Sequence, residues 1–175
     1  MVQWAVDASR AVADGVVLVL PPGHDSDPGA PPGVTGADVV VSGGDTRPAS
    51  AQVIVVHDGA RPLASPALFR AVVAAVADGA DAAVPGIAVA DTLKRVEHDR
   101  VTDTVARDGI VAVQTPQAFR ADVLRRAHDT GSEATDDAGL VESLGATVRV
   151  VRGEPRNIKV TTAADLEVAQ ALATA

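Results

Sequence analysis

The stretch Val53-Ile54-Val55-Val56-His57-Asp58-Gly59-Ala60-Arg61-Pro62 decides the fold of this chain. Its first four residues form an unbroken β-branched run, which predicts a strand buried on both faces, as in a parallel sheet. The run stops at an acid, a glycine, an arginine and a proline. Because open α/β sheets bind ligands beyond the carboxyl ends of their strands, Asp58 and Arg61 are candidates for holding an anionic ligand. A strand end capped by a surface ion pair is the alternative.

The composition indicates a single soluble α/β domain. The sequence has 175 residues, 47% of them hydrophobic, and its only aromatic residues are Trp4, Phe69 and Phe119. A net charge of −8 argues against nucleic acid or an anionic membrane as a partner. The lack of cysteine excludes disulfides and thiolate metal sites. No apolar run of membrane-spanning length and no signal-peptide pattern is present, so we expect a cytoplasmic protein.

Strand and helix patterns alternate along the chain around this stretch. Strands are predicted over 16–20, 37–41, 53–56, 82–85, 147–151 and 158–160. Helices are predicted from the Ser65-Pro66 start to residue 76 and over 121–130, 135–144 and 165–173, and Thr162 is the predicted cap of the last one. With right-handed crossovers, this alternation predicts one domain over residues 1–175, a three-layer α/β/α sandwich.

Residues 87–114 interrupt the alternation. They contain short strand patterns around the polar turn His98-Asp99-Arg100, with no helix between them. This pattern predicts a β-arm that projects from the sheet. Because a two-stranded ribbon is marginally stable alone, we expect the arm to pack on another subunit.

Polar or cationic residues follow the apolar strands at several points. Asp58 and Arg61 follow one strand, Thr115 follows the run 111–113, and Lys159 lies within the last short strand. If these strands are parallel neighbours, Arg61 and Lys159 form an anion site at one edge of the sheet, and the Thr135 hydroxyl adds a neutral donor.

Simpler roles remain open for several of these candidates. Lys159 can equally be an ordinary exposed strand residue, and Arg107 a solvated charge on the arm. Thr135 can equally be a plain N-cap. Thr92 and Arg107 lie too far along the arm to join the cluster of their own subunit easily, but they can reach a neighbour's. The four histidines lack metal-ligand spacing, so we expect structural or solvated roles for His24, His57, His98 and His128.

Five motifs occur in a specific order, and a glycine-rich segment precedes them. The glycine-rich segment is Gly43-Gly44-Asp45-Thr46-Arg47 with Ser50. The five motifs are Val56-His57-Asp58-Gly59-Ala60-Arg61-Pro62, Asp91-Thr92-Leu93-Lys94-Arg95, Thr115-Pro116-Gln117-Ala118-Phe119, Thr135-Asp136-Asp137-Ala138 and Asn157-Ile158-Lys159-Val160-Thr161. Together they closely resemble the 2-C-methyl-D-erythritol 4-phosphate cytidylyltransferase family of the non-mevalonate isoprenoid pathway.

The resemblance implies a Rossmann-like nucleotidyltransferase fold and a homodimer with exchanged β-arms. It also implies the joining of CTP to methylerythritol phosphate with release of pyrophosphate, with Mg²⁺ held mainly by the CTP phosphates. The implied nucleotide contacts are Gly44, Asp45 and Ser50. Asp58, Arg61, Thr115 and Thr135 are the implied substrate contacts, and Lys159, Thr92 and Arg107 the implied catalytic residues, the last two acting from the partner subunit.

The chain departs from the family pattern in two places. Nothing matches the family's first strand and its glycine-rich loop with an Arg and a Lys, and no connecting helix fits between Ser50 and Gln52. We expect the gene product to be longer; a product that begins at Met1 and lacks the loop is expected to be inactive. Two alternatives stay open. A cytidylyltransferase acting on ribitol phosphate is one, because that family shares the fold and most of the motifs; an inactive ligand-binding homologue is the other, because the loop is missing.

Overall fold

The computed structural model describes residues 1–20, 34–37, 39–42, 50–131 and 134–174, with only the backbone of 39–42. Within these ranges the helices are α1 (Val2–Arg10), α2 (Pro66–Ala77), α3 (Ala121–Asp129), α4 (Asp137–Ser143) and α5 (Ala163–Thr174). The strands are β1 (Val17–Leu20), β2 (Val39–Ser42), β3 (Val53–Val56), β4 (Ala82–Ala88), β5 (Leu93–Glu97), β6 (Arg100–Val105), β7 (Val111–Val113), β8 (Gln117–Arg120) and β9 (Val148–Arg152). No helix in these ranges is long and apolar enough to cross a membrane.

The main sheet is mixed, with β4 at its centre. β9 pairs with one edge of β4 in parallel, whereas β8 and β7 pair antiparallel with the two halves of its other edge. β3 lies beyond β8 and pairs with it antiparallel. β1 and β2 form a separate parallel pair.

Helices cover both faces of this sheet, which confirms the predicted three-layer α/β/α architecture. Alternate residues of the strands point to opposite faces. Ala82, Val84 and Phe119 pack against α3 and α4, while Ala83 and Ala118 pack against α2. The many alanines let the helices approach the sheet closely, and Phe119 fills the centre of the core with no solvent exposure.

The helix starts follow local capping chemistry. Ser65 accepts a hydrogen bond from the Leu68 N–H, and Pro66 occupies the first turn of α2, as predicted. Thr162 caps α5 as predicted, and the Asp165 carboxylate accepts bonds from Thr161 and Thr162 in return, which lowers the pKa of Asp165 to about 2. At α4, however, the N-cap is Asp136 and not Thr135, because the Asp136 carboxylate accepts the Gly139 N–H.

Two strand predictions were wrong. β3 is not a parallel strand buried on both faces: its four residues are half-buried and it pairs antiparallel with β8. β8 itself was not predicted, because its four residues run directly into α3 and resemble a helix start. Residues 158–160 form no strand: among the described backbone bonds, the one that joins them to a distant segment runs from the Val160 N–H to the Ala60 carbonyl.

The predicted β-arm is present but is shorter than 87–114. Among the described strands, β5 and β6 pair only with each other, around a turn in which His98 and Asp99 adopt positive φ values of 45° and 64°. β7 and the end of β4 belong to the main sheet instead. The projecting part is therefore the β5–β6 hairpin.

Candidate active site

The site lies where the carboxyl end of β3 meets the start of β8. Because these strands are antiparallel, the residues after Val56 lie beside those before Gln117. The Asp58 N–H donates to the Thr115 hydroxyl at 3.0 Å. The Arg61 N–H donates to the Asp58 carbonyl at 2.9 Å and closes a tight turn over 58–61. The turn directs both side chains to one place.

The Asp58 carboxylate lies between two cations. Its Oδ2 is 3.0 Å from the Lys159 ammonium and 3.8 Å from Arg61 Nε. The Arg61 side chain is 12% exposed, that of Asp58 37% and that of Lys159 50%. Burial lowers the pKa of Arg61, and Asp58 opposes that shift, so the guanidinium stays charged. Arg61 is thus a largely buried anchor, whereas Lys159 has donors free for an anionic ligand.

A buried polar clamp fixes the chain on both sides of Lys159. Asn157, which has no exposure, donates from Nδ2 to the Thr115 carbonyl at 2.8 Å. The Asn157 carbonyl accepts from Arg61 Nη1 at 2.8 Å and from Gln114 Nε2 at 3.1 Å. Beyond Lys159, the Val160 N–H donates to the Ala60 carbonyl at 2.8 Å. These bonds tie residues 157–160 to both the 58–61 turn and residues 114–115.

The clamp continues into the segment that leaves β9. Gln114 Nε2 also donates to the Glu154 carbonyl at 2.9 Å, and its Oε1 accepts the Glu154 N–H at 3.0 Å. The Glu154 carboxylate accepts the Ser65 hydroxyl at 2.5 Å. The route from the main sheet to Lys159 is thereby bonded at Glu154 and Asn157, and again just beyond it at Val160.

The clamp requires glycine at position 153. A Cβ added there would lie 2.7 Å from Gln114 Oε1 and 3.0 Å from the Gly86 carbonyl. We expect Gly153→Ala to lower the free energy of unfolding by about 1–3 kcal/mol, because backbone has to move. Gly59→Ala is the control: its Cβ would meet Val2 at an ordinary 3.5 Å, so urea unfolding should show no loss of stability. Equal losses for the two variants would contradict this packing.

His57 is partly buried beside the cluster. Its Nε2 lies 3.1 Å from the Arg61 carbonyl and its Nδ1 3.0 Å from the Thr115 hydroxyl. The ring packs edge-on against Phe69, with a centroid distance of 5.0 Å. Burial lowers the pKa of His57 to about 4, against the opposing effects of the bond to Arg61 and of the Asp58 charge.

The structure brings four of the predicted substrate and catalytic residues together: Asp58, Arg61, Thr115 and Lys159. Thr135 is exposed and belongs to the same edge of the molecule, since the adjacent Asp136 accepts a bond from Gln117 Nε2 at 3.0 Å. Gln117 is two residues from Thr115.

Thr92 and Arg107 both lie at the base of the hairpin. Thr92 directly precedes β5 and Arg107 follows β6, and both are exposed. Arg107 Nη1 donates to the carbonyls of Val89, Ala90 and Asp91. In the described part of a single chain, Arg107 therefore braces the start of the arm rather than joining the Asp58 cluster.

The structure gives the least information on the predicted nucleotide contacts. Gly44 and Asp45 lie outside the described residues. Ser50 is exposed and precedes β3, so the length of that strand separates it from Asp58 at the other end.

Sequence reasoning missed the clamp residues Gln114, Glu154 and Asn157. Asn157 belongs to a quoted motif, and Gln114 precedes another, but no role was predicted for either. The available signal was their type and place: a polar amide between apolar runs is a candidate for a buried, hydrogen-bonded group.

The chemistry that this arrangement permits is the binding and alignment of an anion. An exposed ammonium, a largely buried guanidinium and a carboxylate between them suit a ligand that carries both a phosphate and hydroxyl groups. No group of three or more His, Asp or Glu placed to hold a metal occurs within the described ranges. The Asp58 carboxylate is already paired with two cations, so these residues do not fit a protein-held metal ion.

A family model matches this chain over its whole given length. The model described as IspD, 2-C-methyl-D-erythritol 4-phosphate cytidylyltransferase, matches residues 1–175.

Individual relatives carry the same description. A 2-C-methyl-D-erythritol 4-phosphate cytidylyltransferase of Saccharopolyspora erythraea is 44% identical over 170 residues, which cover 96% of this chain and 73% of that protein. One from Frankia casuarinae is 53% identical over 122 residues, 69% of this chain. The chain spans only about half the length of the Frankia relative, 46%.

A solved structure has the same fold. The crystal structure of 2-C-methyl-D-erythritol 4-phosphate cytidylyltransferase from Thermus thermophilus superposes with a TM-score of 0.83 at 40% identity. The match covers 98% of this chain and 88% of that chain. At this identity the likeness extends to sequence as well as fold.

Proposed function

The chain belongs to the 2-C-methyl-D-erythritol 4-phosphate cytidylyltransferase family of enzymes, and from that premise we propose its reaction. The protein transfers the cytidylyl group of CTP to 2-C-methyl-D-erythritol 4-phosphate and releases pyrophosphate, in isoprenoid precursor biosynthesis. The observation that carries the proposal is the Asp58 carboxylate held between Lys159 and Arg61, beside Thr115.

The proposed step is a direct phosphoryl substitution. A phosphate oxygen of the sugar alcohol phosphate attacks the α-phosphorus of CTP, and the bond to the pyrophosphate oxygen breaks. Two anions approach each other in this step, so the protein has to align them and offset their repulsion. Lys159 supplies mobile positive charge, and Asp58 orients Lys159 while its own oxygens accept substrate hydroxyls.

We propose that Arg61, Thr115 and Thr135 surround the sugar alcohol phosphate and that Gly44, Asp45 and Ser50 contact the nucleotide. CTP would carry Mg²⁺ on its phosphates, where the ion would neutralise part of their charge. This source of the ion is compatible with an Asp58 carboxylate that is already engaged by Lys159 at 3.0 Å.

The assay that tests the proposal is pyrophosphate release from CTP and Mg²⁺ with each of two acceptors. Release with 2-C-methyl-D-erythritol 4-phosphate and a much lower rate with ribitol 5-phosphate is the expected result. The reverse preference would assign the ribitol reaction instead. Binding of both substrates without any release would identify an inactive homologue.

We also propose a homodimer in which the β5–β6 hairpin packs on the partner. The hairpin exposes Val96 and Val101 by 57% and 61%, and Val150 on the sheet is 53% exposed. A second protein surface that covers these exposed apolar side chains would stabilise the dimer. Thr92 and Arg107, at the hairpin base, then bind the substrate phosphate in the partner's site.

Mixed dimers test this sharing of residues. Arg107→Ala and Lys159→Ala chains are each expected to be nearly inactive alone. A mixed dimer places both changes in one site and leaves the other intact, so refolded mixtures should regain about one working site per mixed dimer. Pyrophosphate release by the isolated mixed dimer measures this. No recovery at all would show that Arg107 and Lys159 act within one chain.

A further inference from the structure

The imidazole of His57 joins three elements of the site. It lies between the 58–61 turn, through the Arg61 carbonyl, and the loop before β8, through the Thr115 hydroxyl. The ring of Phe69, on α2, packs against its edge. Neither the proposed reaction nor the predicted site residues give His57 a role.

The hydrogen bonds around His57 determine where each proton lies. A carbonyl oxygen only accepts, so the Nε2 that faces the Arg61 carbonyl carries the imidazole proton. A neutral imidazole has one N–H, which leaves Nδ1 as an acceptor. The Thr115 hydroxyl therefore donates to Nδ1 across 3.0 Å.

The same reasoning fixes the remaining capacity of Thr115. Its oxygen accepts the Asp58 N–H at 3.0 Å, and its only proton is committed to His57. A hydroxyl has one donor and two acceptor positions, so one acceptor position remains. Thr115 has no proton left to offer to a ligand.

We infer that His57 is a positioning residue that fixes Thr115 as an acceptor-only group and holds the turn that carries Asp58 and Arg61. The substrate atom that meets Thr115 is then a hydrogen-bond donor. Resting on the proposed function, this assigns Thr115 to a hydroxyl of the sugar alcohol rather than to a phosphate oxygen, which would repel a second acceptor.

The neutral state of His57 is consistent with its surroundings. Burial lowers its pKa to about 4, and the charged groups that face it are Asp58, which raises the pKa, and Arg61, which lowers it. Protonation would turn Nδ1 into a donor that opposes the Thr115 proton. The chain of bonds from Asp58 to Arg61 therefore persists at neutral pH.

Nuclear magnetic resonance of the ¹⁵N-histidine-labelled protein tests the proton positions without any assay of activity. His57→Asn identifies the His57 signals. At pH 7, and on lowering the pH to 5.5, we expect His57 to remain neutral with the proton on Nε2. A proton on Nδ1, or a charged ring at pH 6, would overturn the inference.

Kinetics test the action through Thr115. His57→Asn keeps an oxygen at the position of Nδ1, whereas His57→Leu removes both polar contacts. We expect His57→Leu to raise KM for the sugar alcohol phosphate about 10-fold, the cost of one hydrogen bond, with KM for CTP unchanged. His57→Asn should recover most of that loss.

A double variant separates positioning from simple packing. If His57 acts through Thr115, adding His57→Leu to Thr115→Val should change KM for the sugar alcohol phosphate less than twofold. If the two substitutions instead raise KM by factors that multiply in the double variant, the inference is overturned. If the unaltered protein releases no pyrophosphate with any acceptor, the proposed function fails, while the resonance experiment still decides the protonation of His57.

Discussion

Lys159→Met is expected to lower kcat/KM for pyrophosphate release by a factor of about 10²–10³, as loss of a preorganised charged donor does in other enzymes. Lys159 is half exposed and held at 3.0 Å from Asp58, so its ammonium is placed for a ligand rather than for the core. The free energy of unfolding should change by less than about 1 kcal/mol, because exposed ion pairs contribute little to stability.

The sequence contains a matched control for this change. Its two lysines are Lys94 and Lys159. Lys94 lies on β5, where its ammonium donates to the Thr104 hydroxyl at 2.6 Å. Lys94→Met removes the same charge from the molecule, and its kcat/KM should stay within about twofold of the unaltered protein. Similar losses for both variants would mean that net charge, and not the position of Lys159, matters.

Asn157→Leu is expected to affect stability and activity together. The side chain is fully buried and donates to the Thr115 carbonyl, which leucine would leave unpaired. An unsatisfied buried acceptor costs about 1–3 kcal/mol, measurable by urea unfolding. Asn157 is bonded to the Thr115 loop and lies two residues before Lys159. Because its loss would therefore displace both, kcat/KM should also fall by at least about 10-fold.

Gln170→Leu is the control for that experiment. Gln170 is an exposed amide on α5, and its replacement should change stability by no more than about 0.5 kcal/mol. If Asn157→Leu were equally harmless, the clamp would not hold the site together. If it lost stability but kept full activity, Asn157 would support the core and not the position of Lys159.

Local chemistry made the starts of α2 and α5 predictable. The start of α2 follows from Ser65 and Pro66, and the start of α5 from Thr162, because caps depend on residues within one turn. At α4 two adjacent residues were both able to cap the helix. The structure selects Asp136, whose second carboxylate oxygen also accepts a bond from Gln117 of β8. That contact is not local, so the sequence pattern did not distinguish the two.

Strand pairing was less predictable for the same reason. The apolar run 53–56 predicted a strand correctly but predicted the wrong pairing direction, since burial of β-branched residues does not specify strand direction. The antiparallel β8 explains why Thr115 and Asp58 meet: β8 begins where β3 ends. The prediction that these residues gather was correct, although its premise of parallel strands was not.

The charged residues of the site were predictable from the sequence, but the residues that hold them in place were not. Asp58, Arg61 and Lys159 belong to motifs whose resemblance to a family named them. Gln114 and Asn157 act through burial and through bonds across about 40 residues of sequence, at 2.8–3.1 Å. Burial of a polar side chain is a property of the folded core, so no local pattern reveals it.

The most direct test of the central claim observes Lys159 while substrates bind. In protein labelled with ¹³C-lysine, Lys159→Arg and Lys94→Arg identify the two side-chain signals. Addition of Mg²⁺-CTP and 2-C-methyl-D-erythritol 4-phosphate is expected to shift the Lys159 signal and to leave that of Lys94 in place. A Lys159 signal that does not move at saturating concentrations of both substrates would contradict the claim that this ammonium meets the reacting phosphates.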